Sequence, residues 1–134
     1  MIAARPMQKL EVLIADDEAI SREILQTYLE SLGCSVQAAA SGSEALEAFK
    51  DGAEWIRLVI LDVCMPGPEP HKLYEQIRRI KPSVPILFCS GISWGEPELR
   101  FIDEQGLQLL PKPFNRAALL QAALRVLKEA EVGA

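Results

Sequence analysis

Five short apolar runs, each followed by a segment of helical periodicity, divide the 134 residues into repeated strand–helix units. The first run, residues 10–15, precedes a segment over 19–32 in which Ile20, Ile24 and Tyr28 recur at i+4 beside Leu25, Leu29 and Leu32. Gly33 follows as a C-terminal stop. Residues 35–39 form a short alternating strand, and Ser41-Gly42-Ser43-Glu44 has the form of a capping box ahead of Ala45, Leu46 and Phe49. The third run, 58–61, is wholly apolar; a proline-rich loop over 66–70 then leads into a helix carrying Leu73, Ile77 and Ile80 that ends before Pro82. Strands at 86–89 and 107–110 flank a short helix over 97–105. The last helix is expected to start at an Asn115 N-cap and run to about residue 131, with Leu120, Leu124 and Leu127 on its buried stripe.

Such repetition implies a parallel sheet with helices on both faces. Strands one, three and four are near-continuous apolar runs, as strands covered on both sides must be, whereas strands two and five are short and interrupted by Gln37 and Gln108, which suits edges. The pattern predicts an α/β fold: a doubly wound five-stranded parallel sheet in the order 2-1-3-4-5 with five helices, flavodoxin-like in its winding. In that order the first crossover and the later ones go to opposite sides, opening a crevice between strands one and three at their carboxyl ends, where ligands bind. The informative residues are therefore those just after each run.

A chain of this length predicts one domain and can bury on the order of two-thirds of the surface its unfolded form exposes, without disulfides or a structural metal. With 19 Asp plus Glu against 14 Lys plus Arg and a net charge of -5, it is a poor candidate for a nucleic-acid or polybasic membrane-surface module, whose affinity comes from neutralising phosphate. A 49% hydrophobic composition argues against disorder. Cys34, Cys64 and Cys89 are odd in number and form no C-x-x-C, so they read as reduced thiols, with Cys89 in the core. The first nine residues hold no apolar signal region. The longest apolar stretch, residues 84–89, contains Pro85 and falls well short of the about 20 residues of a membrane span. A cytoplasmic protein is expected.

Asp16, Asp17 and Glu18 follow strand one, Asp62 follows strand three, Ser90 and Gly91 follow strand four, and Lys112 and Pro113 follow strand five. An acidic residue after a strand ordinarily favours the first turn of the next helix, and Glu18 is read that way. For Asp16, Asp17 and Asp62 together that reading weakens, because the topology brings all three to one rim, where like charges repel unless something neutralises them. A hard divalent cation would do so: carboxylates, a backbone carbonyl and waters make a shell that Mg²⁺ accepts. The Ser90 hydroxyl and the Lys112 ammonium at the same rim would cradle an anion, in the way phosphoryl groups are held. Asp62 ends the central strand and can lie between metal and lysine, which makes it the economical choice of nucleophile for an aspartyl phosphate.

On four motifs, Val12-Leu13-Ile14-Ala15-Asp16-Asp17-Glu18, Leu61-Asp62-Val63-Cys64-Met65-Pro66-Gly67, Phe88-Cys89-Ser90-Gly91 and Pro111-Lys112-Pro113-Phe114, the sequence resembles the receiver domain of two-component signalling over residues 9–131. The resemblance implies that Asp62 is the phosphoacceptor, and that Asp17, Asp62 and the Cys64 backbone carbonyl bind Mg²⁺, with Asp16 acting largely through a water on the metal. It further implies that Ser90 and Lys112 contact the phosphoryl oxygens, that a cis peptide joins Lys112 to Pro113, and that phosphorylation switches the face formed by residues 90–106. The implied partner is a sensor histidine kinase or a histidine phosphotransferase; the domain catalyses only its own phosphorylation and slow dephosphorylation. A domain over 8–131 leaves tails of 1–7 and 132–134, so output is expected in another chain or another part of a parent protein. The combination of the last two motifs looks most like receivers at the C-terminal end of hybrid sensor kinases, with a free-standing regulator left open.

Three positions depart from the common receiver pattern. Leu109 stands where many receivers carry an aromatic switch, Pro70 where a glycine is usual, and Gly91 where alanine is frequent, which would free the loop over 92–96. Leu109 keeps open a phosphorylation-independent interaction module. A haloacid-dehalogenase-like hydrolase would need an acid at Cys64, and a flavin protein would need a phosphate loop after strand one. His71 reads as a solvated residue at a helix start rather than a relay histidine. Cys64 sits where a side chain overhangs the pocket, with loop packing as the alternative; Trp55 reads as loop packing, and Trp94 as cover for the sheet edge or a partner contact. The alanines 117, 118, 122 and 123 are mostly core by periodicity, and their leftover small residues leave a homodimer contact open.

Overall fold

In the computed structural model, which describes residues 7–91 and 97–133, the apolar runs become five strands and the periodic segments five helices. In chain order they are β1 (Glu11–Ala15), α1 (Ala19–Ser31), β2 (Ser35–Ala39), α2 (Gly42–Gly52), β3 (Leu58–Asp62), α3 (Pro70–Ile80), β4 (Ile86–Ser90), α4 (Pro97–Glu104), β5 (Gln108–Pro111) and α5 (Arg116–Gly133). The strands lie in the order β2-β1-β3-β4-β5 and every pairing is parallel, the doubly wound arrangement expected. β3 and β4 are buried at every position, while β2 and β5 carry exposed or half-buried ones, as edges do.

Alternate strand residues point to opposite faces, and each face carries its own core. Val12, Ile14, Leu58, Ile60, Leu87 and Cys89 meet Leu25 and Leu29 of α1 and Leu119, Ala123 and Val126 of α5. Leu13, Val59, Leu61 and Phe88 face the other way, onto Phe49 of α2, Leu73 and Ile77 of α3, and Leu99 and Ile102 of α4. The helix ends follow their sequence signals. Ser41 Oγ accepts the Glu44 N–H at 3.1 Å, Asn115 Oδ1 accepts the Ala118 N–H at 2.8 Å, and Gly33 closes α1 at φ 95°, a left-handed conformation that side chains resist.

Strands three and four run one residue past their apolar runs, so Asp62 and Ser90 are themselves strand residues. The ladder explains this, since it uses backbone groups only: Val63 N–H donates to the Cys89 carbonyl at 3.0 Å, and Lys112 N–H to the Ser90 carbonyl at 2.8 Å. A polar side chain can therefore close a strand without ending its pairing.

Three expectations about packing need correction. On α1 the buried line is Leu25 and Leu29, whereas Ile20 and Ile24 are 76% and 44% exposed; the first turns of the helix overhang the rim instead of the sheet. On α5 the buried line is Leu119, Ala122, Ala123 and Val126, with Leu120, Leu124 and Leu127 flanking it half-buried and Ala117 exposed. The small alanines let the helix axis approach the sheet, which rotates the contact line onto them. Trp55 packs into its loop only in part: its indole Nε1 lies 3.2 Å from where a Cβ at Gly52 would stand, while the residue is 57% exposed. Trp94 and the loop over 92–96 lie outside the described residues.

This packing predicts opposite outcomes for two substitutions in urea unfolding. Ala123→Leu forces α5 off the sheet and costs about 1–3 kcal/mol, while Ile24→Ala stays within about 0.5 kcal/mol of wild type. An unchanged midpoint for Ala123→Leu would show that α5 does not sit on its alanine line.

Candidate functional site

The carboxyl ends of β1, β3, β4 and β5 form one rim of the sheet. Asp16 follows β1 and is 1% exposed, Asp62 ends β3 at 6%, and Ser90 ends β4 at 2%. Asp17 is exposed beside them, and one carboxylate oxygen from each of Asp16, Asp17 and Asp62 lies within 4.8 Å of the others. Lys112, just past β5, enters from the opposite side, its Nζ 2.8 Å from Asp16 Oδ2, 3.4 Å from Asp62 Oδ2 and 3.9 Å from Glu18 Oε1. The Lys112–Pro113 peptide is cis. Cys64 N–H donates to Asp62 Oδ1 at 3.4 Å, and its thiol is exposed.

The loop after Asp62 is anchored on α2. Gly67 has φ 106°, and a Cβ there would stand 3.2 Å from Ser43 Oγ, so the close approach and the left-handed backbone both call for glycine. Pro70 occupies the first turn of α3, where its missing N–H costs nothing.

Two adjacent carboxylates are driven in opposite directions. Burial pushes the Asp62 carboxyl up and the Asp16 charge adds to it; Lys112 and the Cys64 N–H oppose this without cancelling it, leaving a pKa of about 6. Burial works against the Asp16 charge too, but bonds from Lys112, Ser21 and the Glu18 N–H outweigh it and hold that carboxyl below its ordinary value. Burial likewise disfavours the Lys112 charge, yet its bond to Asp16 and the field of Asp62 keep its pKa above the usual lysine value. The rim thus holds a fixed anion, a fixed cation and a carboxylate that titrates near neutrality. Burial pushes the Cys34 and Cys89 thiols up to about 11 and about 12, which disfavours the thiolate at both.

The structure therefore brings Asp16, Asp17, Asp62, Ser90, Lys112 and the Cys64 backbone to one place. Glu18 stands at the N-cap of α1 but makes no capping bond with its side chain. His71 is exposed, 3.5 Å from Glu69. Sequence reading missed Ser21 and Arg22, whose side chains bond Asp16 at 2.6 and 2.7 Å. The available signal was their place in the first turn of a helix, where side chains lean back toward the N-terminus.

The response regulator receiver domain family model matches residues 12–124, and the chain belongs to that family. It is 33% identical over 125 residues to a probable transcriptional regulator, ycf27, of Porphyridium aerugineum, covering 93% of this chain and 51% of that protein. It is 37% identical over 112 residues to the autoinducer 1 sensor kinase/phosphatase LuxN of Vibrio campbellii, covering 84% of this chain and 13% of that protein. Among solved structures it is similar to a CheX-CheY-BeF3-Mg complex from Borrelia burgdorferi, with TM-score 0.79, 26% identity, and 89% and 90% of the two chains covered. The chain thus spans about half of one relative and a small part of the other. No helix among the described residues is long and apolar enough to cross a membrane.

The raised Asp62 carboxyl has a thermodynamic consequence. A group that titrates near 3.8 ordinarily and at about 6 when folded favours the fold while protonated; that contribution is complete below about pH 4 and is lost as pH rises through about 6. Asp62→Asn keeps the neutral state at all pH values. In chelator at pH 7 it should therefore be more stable than wild type by about 1–2 kcal/mol, with the advantage gone at pH 4. Equal stability of the two proteins at pH 7 would mean that burial does not dominate at Asp62.

Proposed function

We propose that this domain accepts a phosphoryl group on Asp62 from the phosphohistidine of a sensor histidine kinase or histidine phosphotransferase, with Mg²⁺ held by Asp16, Asp17, Asp62 and the Cys64 backbone carbonyl. The observation that carries the reading is the convergence of three carboxylates within 4.8 Å with a lysine that contacts two of them. Hard carboxylate oxygens suit Mg²⁺, which binds one or two directly and reaches others through its waters, and the charge crowding around Asp62 is what a cation would relieve. When bound, the ion would neutralise the carboxylates and draw charge from the phosphoryl oxygens.

The residues of the chain divide the remaining work. An Asp62 oxygen forms the bond to phosphorus as the donor's phosphorus–nitrogen bond breaks and the imidazole departs. Near pH 7 most of Asp62 is already the carboxylate that this attack needs. The Lys112 ammonium and the Ser90 hydroxyl bind the transferred oxygens, and the buried rim limits access of water. The domain does no further chemistry beyond slow loss of the phosphoryl group. Charge gained at Asp62 biases the face over 90–106. Phe101 of α4 supports that route: its ring meets Phe88, two residues before Ser90, edge-on at 5.3 Å, and Tyr74 of α3 at 6.3 Å. These rings join α3, β4 and α4 without an aromatic at Leu109. Output through another chain or another part of a parent protein, and a cytoplasmic location, belong to the same reading.

Acetyl phosphate with Mg²⁺ should add one phosphoryl group, lost on treatment with hydroxylamine, and intact-protein mass spectrometry would detect it. Asp62→Asn should take up none, and removal of Mg²⁺ by chelator should abolish uptake in wild type. Labelling of Asp62→Asn at the wild-type level would defeat the assignment. Partner binding indifferent to that substitution would instead favour a phosphorylation-independent module.

A further inference from the structure

Asp16 is gripped by groups to which the proposed phosphoryl transfer assigns no task. Ser21 Oγ donates to Asp16 Oδ2 at 2.6 Å, and the same oxygen accepts Lys112 Nζ at 2.8 Å. Among the described residues, Asp16 Oδ1 accepts only the Glu18 N–H, at 2.9 Å. Arg22 Nη1 donates to the Asp16 backbone carbonyl at 2.7 Å and so holds the loop without touching the carboxylate. An ionised carboxyl offers about two lone-pair positions on each oxygen. Oδ2 is therefore filled by a hydroxyl and an ammonium, and Oδ1 keeps one position in hand.

We infer that Ser21 is a positioning residue that selects the cation: by sharing Asp16 Oδ2 with Lys112, it leaves Asp16 a single oxygen to offer, to the cation itself or to a water on it. The inference rests on the proposal that Asp16, Asp17 and Asp62 form a divalent-cation site. Mg²⁺ demands a tight octahedron, keeps several waters and takes one or two carboxylates, whereas Ca²⁺ takes six to eight oxygens and commonly binds carboxylates through both. A carboxylate with one oxygen withdrawn meets the first requirement and fails the second. Lys112 alone cannot enforce this. It also lies 3.4 Å from Asp62 Oδ2, and in the proposed transfer it turns to the phosphoryl oxygens. The Ser21 hydroxyl meets no other anion among the described residues and keeps its hold on Oδ2 throughout. Asp62 is bonded more loosely, with both of its contacts at 3.4 Å, so the restriction is strongest at Asp16.

The test is calorimetric titration of the full chain with Mg²⁺ and, separately, with Ca²⁺, for wild type, Ser21→Ala, Ser21→Thr and Arg22→Gln, with urea unfolding of each to confirm the fold. Ser21→Ala should weaken Mg²⁺ binding about tenfold, the low end for loss of a group that orients a metal ligand. Ca²⁺ binding should weaken far less or tighten, so that the Mg²⁺ preference falls. Ser21→Thr should restore the preference, and Arg22→Gln should change both affinities alike. A Ser21→Ala protein with the wild-type preference would overturn the inference while leaving the cation site standing. So would Arg22→Gln lowering the preference as much, since loop rigidity would then be the cause. Wild type that binds neither ion would remove the cation site itself, and this inference with it.

Discussion

A single ammonium group holds the functional rim together. Lys112 follows β5, and Asp16 follows β1, three strands away across the sheet with β3 and β4 between them, yet the two side chains meet at 2.8 Å. Without that bridge, two buried carboxylates would face each other with neither water nor a counter-ion to offset their repulsion and lost hydration. The lysine is brought there by the β5 ladder, whose last bond, from Lys112 N–H to the Ser90 carbonyl, also fixes its distance from β4. Backbone pairing at the sheet edge and charge balance at the sheet centre are thus parts of one arrangement.

The two carboxylates also show how environment assigns roles to identical groups. Asp16 has several donors and stays charged; Asp62 feels the stronger desolvation, has fewer and weaker donors and a like-charged neighbour, and its pKa rises to about 6. Adjacent acids pushed apart in this way leave one that stays charged and one that can take up or lose a proton. The separation comes largely from hydrogen-bond count, which the first turn of α1 and the end of β5 supply.

Much of this could be read from the residues in order. The five-unit plan was legible because burial on both faces keeps β3 and β4 apolar up to their last residue, and the sheet order because Gln37 and Gln108 mark the strands that are not so covered. Asp16, Asp62, Ser90 and Lys112 were legible because a doubly wound sheet gathers its strand ends. The contact lines of α1 and α5 were not: periodicity locates a helix face only to within about one residue, and large residues such as Ile24 and Leu124 attract the reading while Ala123 makes the contact. Ser21 was hidden for a different reason. A serine in the first helical turn is unremarkable in sequence, and only the folded loop shows that its hydroxyl and a lysine 91 positions away share one oxygen.

The central strand carries a mechanical implication. Every position of β3 is buried, and its backbone is bonded to β1 on one side and β4 on the other. A strand so enclosed cannot recoil when the charge at its tip changes, because any displacement would break two ladders and disturb both cores at once. Asp62 is mounted on a strand held on both sides and both faces, so it acts as a fixed post. Motion that answers an event there must be taken up by what surrounds the post, the segments after β1 and β3 and the helices they lead into, which stand outside the strand ladders.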